Sequence, residues 1–381
     1  MFKKGFLSIL LAFSMIFLAS SSVLALEIKN PSFDISSRSA ILMDANTGTV
    51  LYEKNINAPL PIASVTKIMT VLLIFEAIDG GKITFNDKVT VSENASSMGG
   101  SQVYLEPGEE FTVDELLKCV IVSSANDAAV ALAEYTFGSI ELFVSEMNKR
   151  ANELEMKNTN FVNVTGLDDT ATNHFSSAYD VAIMSRELLK HEKVTEYTTI
   201  WMDTIRNGEF GLSNTNKLVK YYKGITGLKT GSTEKAGFCL SASAKRDGLH
   251  LIAVVLGADT SSIRNQEVTK LLDFGFANYS FATLNGENLG KIQVYSGYED
   301  YVSVRYETKE ILINKGIENK ISKEIELSEG VLAPVYENDV IGKVVYKIDS
   351  KIICEIDILA SKTVLKITFF EYIVKVLKNF F

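Results

Sequence analysis

Cysteine and histidine are both scarce in this chain, with three of each among 381 residues. Cys119, Cys239 and Cys354 are too few and too scattered for a disulfide framework. Buried free thiols are expected, with a single pair as the alternative. His174, His191 and His250 stand alone, without an H-E-x-x-H motif or a Cys/His cluster. They read as ordinary polar residues, so neither a protein-ligated metal nor any cofactor is expected. Positive charge is also short. The formal net charge is −9, and discounting Lys3 and Lys4 makes it −11, which argues against nucleic acid as the main partner. Low-complexity tracts and internal repeats are missing as well.

The N-terminus has what a secretory signal peptide needs. Lys3 and Lys4 precede a mostly apolar run from Phe6 to Leu18, followed by small residues and Val23-Leu24-Ala25. Residues 1–25 are expected to be removed after Ala25. The alternative, an uncleaved N-terminal anchor, needs a longer apolar core. Roughly 355 residues remain, enough for one large domain and one small one.

Ser39 to Asp44 and Thr49 to Lys54 are expected to form two strands joined at Asn46-Thr47-Gly48. Ile68 to Ile78 is apolar at nearly every position, as in a helix buried on all sides, and Gly80-Gly81 ends it. Thr112-Val113-Asp114-Glu115 is a capping box opening a helix over Leu116 to Ser123. Further helices are expected over Ala128 to Phe137, Ser139 to Leu154, Tyr179 to Lys190 and Asn265 to Asn278. Tyr221 to Lys229 reads as extended. Phe238 to Lys245 and Leu249 to Gly257 read as strands turned at Asp247-Gly248. Strands at both ends of this region around mid-chain helices give an α+β layer arrangement, in which the two terminal regions meet in one antiparallel sheet.

From about Asn285 the texture changes to short alternating segments. Lys291 to Tyr295, Val302 to Tyr306, Ile311 to Ile313, Lys323 to Leu327 and Val344 to Ile353 indicate a small all-β domain. The expected organisation is a large domain over 26–283, the β-rich domain over 284–360, and a helical tail over 361–381. On a helical wheel Leu365, Phe369, Ile373, Val376, Leu377 and Phe380 share one face of that tail. Four lysines against one glutamate give it a charge of about +3. It is expected to lie in the interface of an anionic membrane; the alternative is a helix docked on the β-rich domain.

Ser64 and Lys67 stand at the start of the apolar helix, three residues apart and so on one face. A hydroxyl beside an amine is what a serine nucleophile with a lysine base requires. The competing reading is a helix-capping serine followed by a surface lysine. S-x-x-K alone cannot separate them, since composition yields roughly one or two in a chain this long. Two more motifs follow in order, Ser124-Ala125-Asn126 and Lys229-Thr230-Gly231. Together they form the S-x-x-K, S-D-N, K-T-G series of serine acyl-transferases, with Ala125 in place of the aspartate.

On these motifs the chain resembles the low-molecular-weight penicillin-binding proteins, specifically serine-type D-alanyl-D-alanine carboxypeptidases. Gly237-Phe238 and Gly257-Ala258 before Ser262-Ile263-Arg264 also match that family. The resemblance implies a β-lactamase/transpeptidase-like domain of antiparallel sheet with helices, then the all-β domain and the amphipathic helix. It implies attack by Ser64 on the bond between two D-alanines, with Lys67 as base. Ser124 would relay a proton to the leaving amine, and Asn126 would hold Lys67 and the substrate amide. Lys229 and Thr230 would face the substrate carboxylate, with Gly231 leaving room for the peptide. The backbone N–H groups of Ser64 and Ser232 would form the oxyanion hole, and Arg264 would assist with the carboxylate. The implied partners are peptidoglycan stem peptides ending in D-Ala-D-Ala, β-lactams and a membrane surface, at the outer face of the cytoplasmic membrane.

A serine β-lactamase shares the three motifs, but no Glu-x-x-Leu-Asn segment offers a base for its hydrolytic water. A non-catalytic penicillin-binding wall protein would not need all three motifs intact. Two other classes fail earlier. Ser64 lacks the flanking glycines of the G-x-S-x-G elbow. Gly227-Leu228-Lys229-Thr230 lacks the glycine that a phosphate loop places directly before its lysine.

Overall fold

The computed structural model describes Ile28, residues 31–167 and residues 172–378. The expected signal peptide lies outside them, as do the last three residues of the tail. The described residues divide into two compact units, Ile28–Ser280 and a second from Phe281 onward.

The first unit is built on a five-stranded antiparallel sheet in the order Val50–Lys54, Ser39–Asp44, Leu249–Ala258, Gly237–Arg246, Ile225–Thr233. The N-terminal hairpin and the late strands therefore share one sheet through the Ser39–Asp44 and Leu249–Ala258 pairing, as the sequence pattern requires. Ser39–Asp44 is buried along its whole length, so its near-continuous apolar run belongs to a strand covered on both faces. The Ile225–Thr233 strand ends the sheet, leaving its outer edge without a sheet partner among the described residues.

The apolar helix runs from Lys67 to Asp79, and only Glu76, Ile78 and Asp79 escape full burial. Its core neighbours include Leu116, Val120, Ala129, Val181 and Met184 from the surrounding helices. Thr112 and Glu115 form the expected capping box, each side chain meeting the other residue's backbone N–H, and the helix they open spans Val113–Val122. A second helix, Asn126–Phe137, follows after a tight turn and stops at Gly138, whose φ of 87° suits a left-handed C-terminal cap. The last helix begins at Ser261, capped by the Thr260 hydroxyl, four residues before the apolar periodicity starts. The extended stretch is also displaced. Leu218–Tyr221 is a helical turn, and the strand continues to Thr233, which puts Lys229 in mid-strand.

The second unit contains a six-stranded sheet in the order Ser322–Leu327, Val340–Ile348, Lys351–Ala360, Tyr301–Tyr306, Glu287–Tyr295, Gly330–Leu332. Ile292, Val294, Val302, Val304, Val344, Ile356 and Ile358 fill its core. The run from Val344 to Ile353 is not one strand, because a hairpin turns at Asp349-Ser350. Both turn residues have positive φ, 46° and 68°, without the glycine or asparagine that usually marks such a turn.

The tail differs from expectation at its start. The helix is Phe369–Lys378, and the residues before it are extended, with Val364 bridging Val335 and Lys366 bridging Gly297. Thr368 sets the boundary, since its N–H and hydroxyl both donate to Glu371 at the helix's first turn. Leu365 therefore does not belong to the helical face. No single helix among the described residues is long and apolar enough to cross a membrane. Cys119, Cys239 and Cys354 are all buried free thiols.

Candidate active site

Ser64 and Lys67 are joined by a short 3-10 turn, Ala63–Thr66, that leads into the buried helix. The tighter turn still keeps residues three apart on one side. Ala63 has φ of 46°, a costly conformation for a non-glycine residue. Packing holds it there. Gly166 lies so close that a Cβ on it would fall 1.8 Å from the Ala63 carbonyl oxygen, and its own φ is 77°. Asn163 fixes that loop by accepting from the N–H groups of Thr165 and Gly166. Behind the turn, buried His174 accepts from the Val162 N–H through Nδ1, which leaves its Nε2–H to donate to Thr66 Oγ1 at 2.7 Å.

Lys67 is completely buried, yet its Nζ reaches three oxygens: Ser64 Oγ at 2.9 Å, Asn126 Oδ1 at 2.6 Å and the Thr165 carbonyl at 3.0 Å. Burial pushes its pKa well below the ordinary lysine value. The charge of Lys229 pushes the same way, and Asp127 opposes both. Lys67 and Lys229 border one small cavity lined otherwise by Ile68, Val71, Ile121, Leu188 and Leu228 together with Thr198, so its walls are mostly apolar. A neutral amine here can accept the Ser64 proton.

The middle motif approaches from the junction of the Val113–Val122 and Asn126–Phe137 helices. Ser124 is buried with φ of 61°, a strained backbone that aims it away from both helices' regular paths. Ala125 is fully buried, so an aspartate at that position would need a buried partner. Asn126 is fixed through Nδ2, which donates to the Gly99 carbonyl at 2.7 Å, so its Oδ1 must face Lys67. Asp127, which carries no motif signal, holds the same loop by accepting from the N–H groups of Val103 and Leu105.

The third motif lies on the free edge strand. Lys229 is buried, and desolvation, followed by the nearby Arg264 charge, lowers its pKa to about 7. Arg264 is itself buried on the first turn of the Ser261–Asn278 helix. Its guanidinium donates to Asn265 Oδ1, and burial lowers its pKa to about 10. Thr230 is buried beside them, while Ser232 is exposed at the strand's end. Gly231 is required by contact. A Cβ there would meet the Ile62 carbonyl oxygen at 2.7 Å and the Ser64 N–H nitrogen at 2.9 Å. The edge strand thus touches the nucleophile turn directly. Gly231→Ala is expected to push the two backbones apart and slow penicillin acylation by about 100-fold, the usual effect of roughly 1 Å of misplacement. Stopped-flow acylation with a melting curve checks this, because a loss confined to stability would show acylation unchanged.

The structure brings Lys67, Asn126 and Gly231 directly to the Ser64 turn and sets Lys229 near Lys67 and Arg264 near Lys229; Ser124 is buried two residues before Asn126, and Ser232 is exposed. Gly99, Asp127, Thr165 and Gly166 were not legible, because each acts on a partner far away in the chain. Lys229 and Arg264 are both buried and close enough for each charge to act on the other, so this side of the site offers positive charge to an anion.

Residues 25–260 match the family model described as D-alanyl-D-alanine carboxypeptidase, and residues 283–366 match that of the C-terminal domain of penicillin-binding protein 5. The chain is 46% identical over 343 residues to the D-alanyl-D-alanine carboxypeptidase DacF of Bacillus subtilis, covering 88% of each. It is 36% identical over 326 residues to DacA of Haemophilus influenzae, covering 83% of this chain and 82% of that one. Among solved structures, penicillin-binding protein 5 of Haemophilus influenzae superposes with a TM-score of 0.77 at 33% identity, covering 89% of this chain and all of that one. Penicillin-binding protein D2 of Listeria monocytogenes, solved with ampicillin bound, gives 0.60 at 32% identity over 65% of this chain and all of that one. With its three motifs converging on one serine, and with matches over most of its length, this chain belongs to the D-alanyl-D-alanine carboxypeptidase family.

Proposed function

We propose that the chain removes the terminal D-alanine from peptidoglycan stem pentapeptides through an acyl-enzyme on Ser64, and that penicillins acylate the same serine. The observation that carries this reading is the Lys67 amine, buried and 2.9 Å from Ser64 Oγ. Lys67 takes the hydroxyl proton as Ser64 Oγ bonds to the penultimate D-alanine carbonyl. The N–H groups of Ser64 and Ser232 receive the oxyanion; one such donor is commonly worth about 10²–10³ in rate. As the C–N bond breaks, the proton passes by way of Ser124 to the leaving amine of D-alanine. Water then hydrolyses the ester and regenerates Ser64. Asn126 holds Lys67 and the substrate amide, Lys229 and Thr230 take the terminal carboxylate, and Arg264 adds its charge beside them. The peptide lies along the free edge of the Ile225–Thr233 strand, where main-chain hydrogen bonds are available.

D-alanine release from a stem pentapeptide, with and without penicillin, tests the reading. Release that penicillin abolishes is expected. No release, or release insensitive to the drug, would refute it.

We place the protein at the outer face of the cytoplasmic membrane, held by the tail helix. Phe369, Phe370, Ile373, Val374 and Leu377 on that helix are exposed, which supports an interfacial anchor. Lys362 pairs with Glu299 and Lys375 with Asp300, so two of the tail's cations are already neutralised. Binding should therefore rest on apolar insertion more than on charge. Deleting residues 369–381 is expected to move the protein to the soluble fraction, while 0.5 M salt, on the order of a 4 Å screening length, leaves most of the full chain membrane-bound. An undiminished membrane fraction after the deletion would sink the anchor.

A further inference from the structure

The segment Asn214-Thr215-Asn216 carries none of the three motifs, but hydrogen bonds hold each of its three residues. The Asn214 N–H donates to the Trp201 carbonyl, and Asn214 Nδ2 donates to the Ile200 carbonyl at 2.7 Å. Asn214 Oδ1 accepts from the Asn216 N–H, and Asn216 Oδ1 accepts from the Leu218 N–H. Both asparagines are buried and their Oδ1 atoms serve the backbone of this loop, while Asn216 Nδ2 has no partner among the described residues. The Thr215 N–H donates to the Val122 carbonyl, two residues before Ser124. Only Thr215 stays partly accessible, and its hydroxyl meets Thr230 of the K-T-G strand, which donates to it at 2.7 Å.

We propose that Thr215 is the positioning residue of the carboxylate subsite, which it completes through Thr230. This rests on the reading of Lys229 and Thr230 as the groups that take the substrate's terminal carboxylate. A hydroxyl offers one proton and two lone pairs, and its proton rotates freely. In the free protein the Thr230 proton is engaged by Thr215. An ionised carboxylate has no proton to give, so Thr230 must turn its own proton toward it. Thr215 then donates to the vacated lone pair, and the chain runs from the Thr215 hydroxyl to the Thr230 hydroxyl to the carboxylate. Donors aligned in series strengthen one another. The buried asparagines hold Thr215 still for this purpose, so the reversal costs a proton rotation and no loop movement.

The test compares a stem pentapeptide with its C-terminal carboxamide, a weaker acceptor. Thr215→Val keeps the shape and removes the hydroxyl. KM for the carboxylate substrate is expected to rise by about fivefold, the scale of one hydrogen bond between neutral hydroxyls. KM for the carboxamide should stay within about twofold, kcat should be little changed, and Thr215→Ser should restore wild-type values. If Thr215→Val melts below the assay temperature, Thr215→Ala carries the same comparison. Equal losses on both substrates, or no loss on the carboxylate, would overturn the proposal while leaving the carboxypeptidase reading intact. A wild-type protein that releases no D-alanine would overturn both.

Discussion

Ser64→Ala is expected to reduce D-alanine release by about 10⁴–10⁶-fold, the range seen when an acyl-forming serine is removed from comparable machinery. Covalent labelling by penicillin should disappear with it. The fold should be nearly unaffected. Ser64 is only partly buried, and Lys67 keeps Asn126 and the Thr165 carbonyl as partners when the hydroxyl is lost. A variant that melts like wild type and forms no penicilloyl adduct separates chemistry from stability. If Ser64→Ala released D-alanine at the wild-type rate, the nucleophile would have to lie elsewhere.

Lys67→Met should have the second-largest effect. Methionine fills a similar unbranched volume in the packed helix. The substitution removes an expensive buried amine but strands Asn126 Oδ1 and the Thr165 carbonyl, each at a cost of about 1–3 kcal/mol. These opposing contributions are of similar size, so the melting temperature should move by only a few degrees. The acylation rate should fall by at least about 10³-fold, because Ser64 loses its proton acceptor. The pH profile carries the sign of the argument. Lys67 must be neutral to act, so kcat/KM rises with pH through its depressed pKa. Lys229 must be charged to hold a carboxylate. With its pKa lowered to about 7, it loses that charge as pH rises, and kcat/KM falls on the alkaline side. Lys229→Arg should move the alkaline limb upward, since a guanidinium keeps its proton. An alkaline limb that stays in place in Lys229→Arg would assign it to another group.

Much of this architecture was legible because local signals agreed with one another. The all-apolar stretch after Ser64, the Thr112–Glu115 capping box and the Asp247-Gly248 turn each locate one element without reference to the rest of the chain. The ordered motifs then located the side chains Ser64, Lys67, Asn126 and Lys229. What stayed hidden depends on distant partners. Gly166 matters because of Ala63, about a hundred residues earlier, and Asp127 because it anchors a loop between Val103 and Leu105. Thr215 matters only because Thr230 comes to rest against it.

Two departures from the sequence pattern are local. The hairpin at Asp349-Ser350 places both residues in the left-handed region without glycine, so composition gave no turn. In the tail, an amphipathic period extended the helix too far upstream. The Thr368–Glu371 contact, a start signal four residues long, outweighed it.

The most direct test of the central claim is peptide mapping by mass spectrometry after incubation with penicillin. A single penicilloyl group is expected on the peptide containing Ser64, lasting for many catalytic cycles of a β-lactamase and absent in Ser64→Ala. Label on a different residue, or rapid turnover to hydrolysed drug with no adduct trapped, would contradict the account.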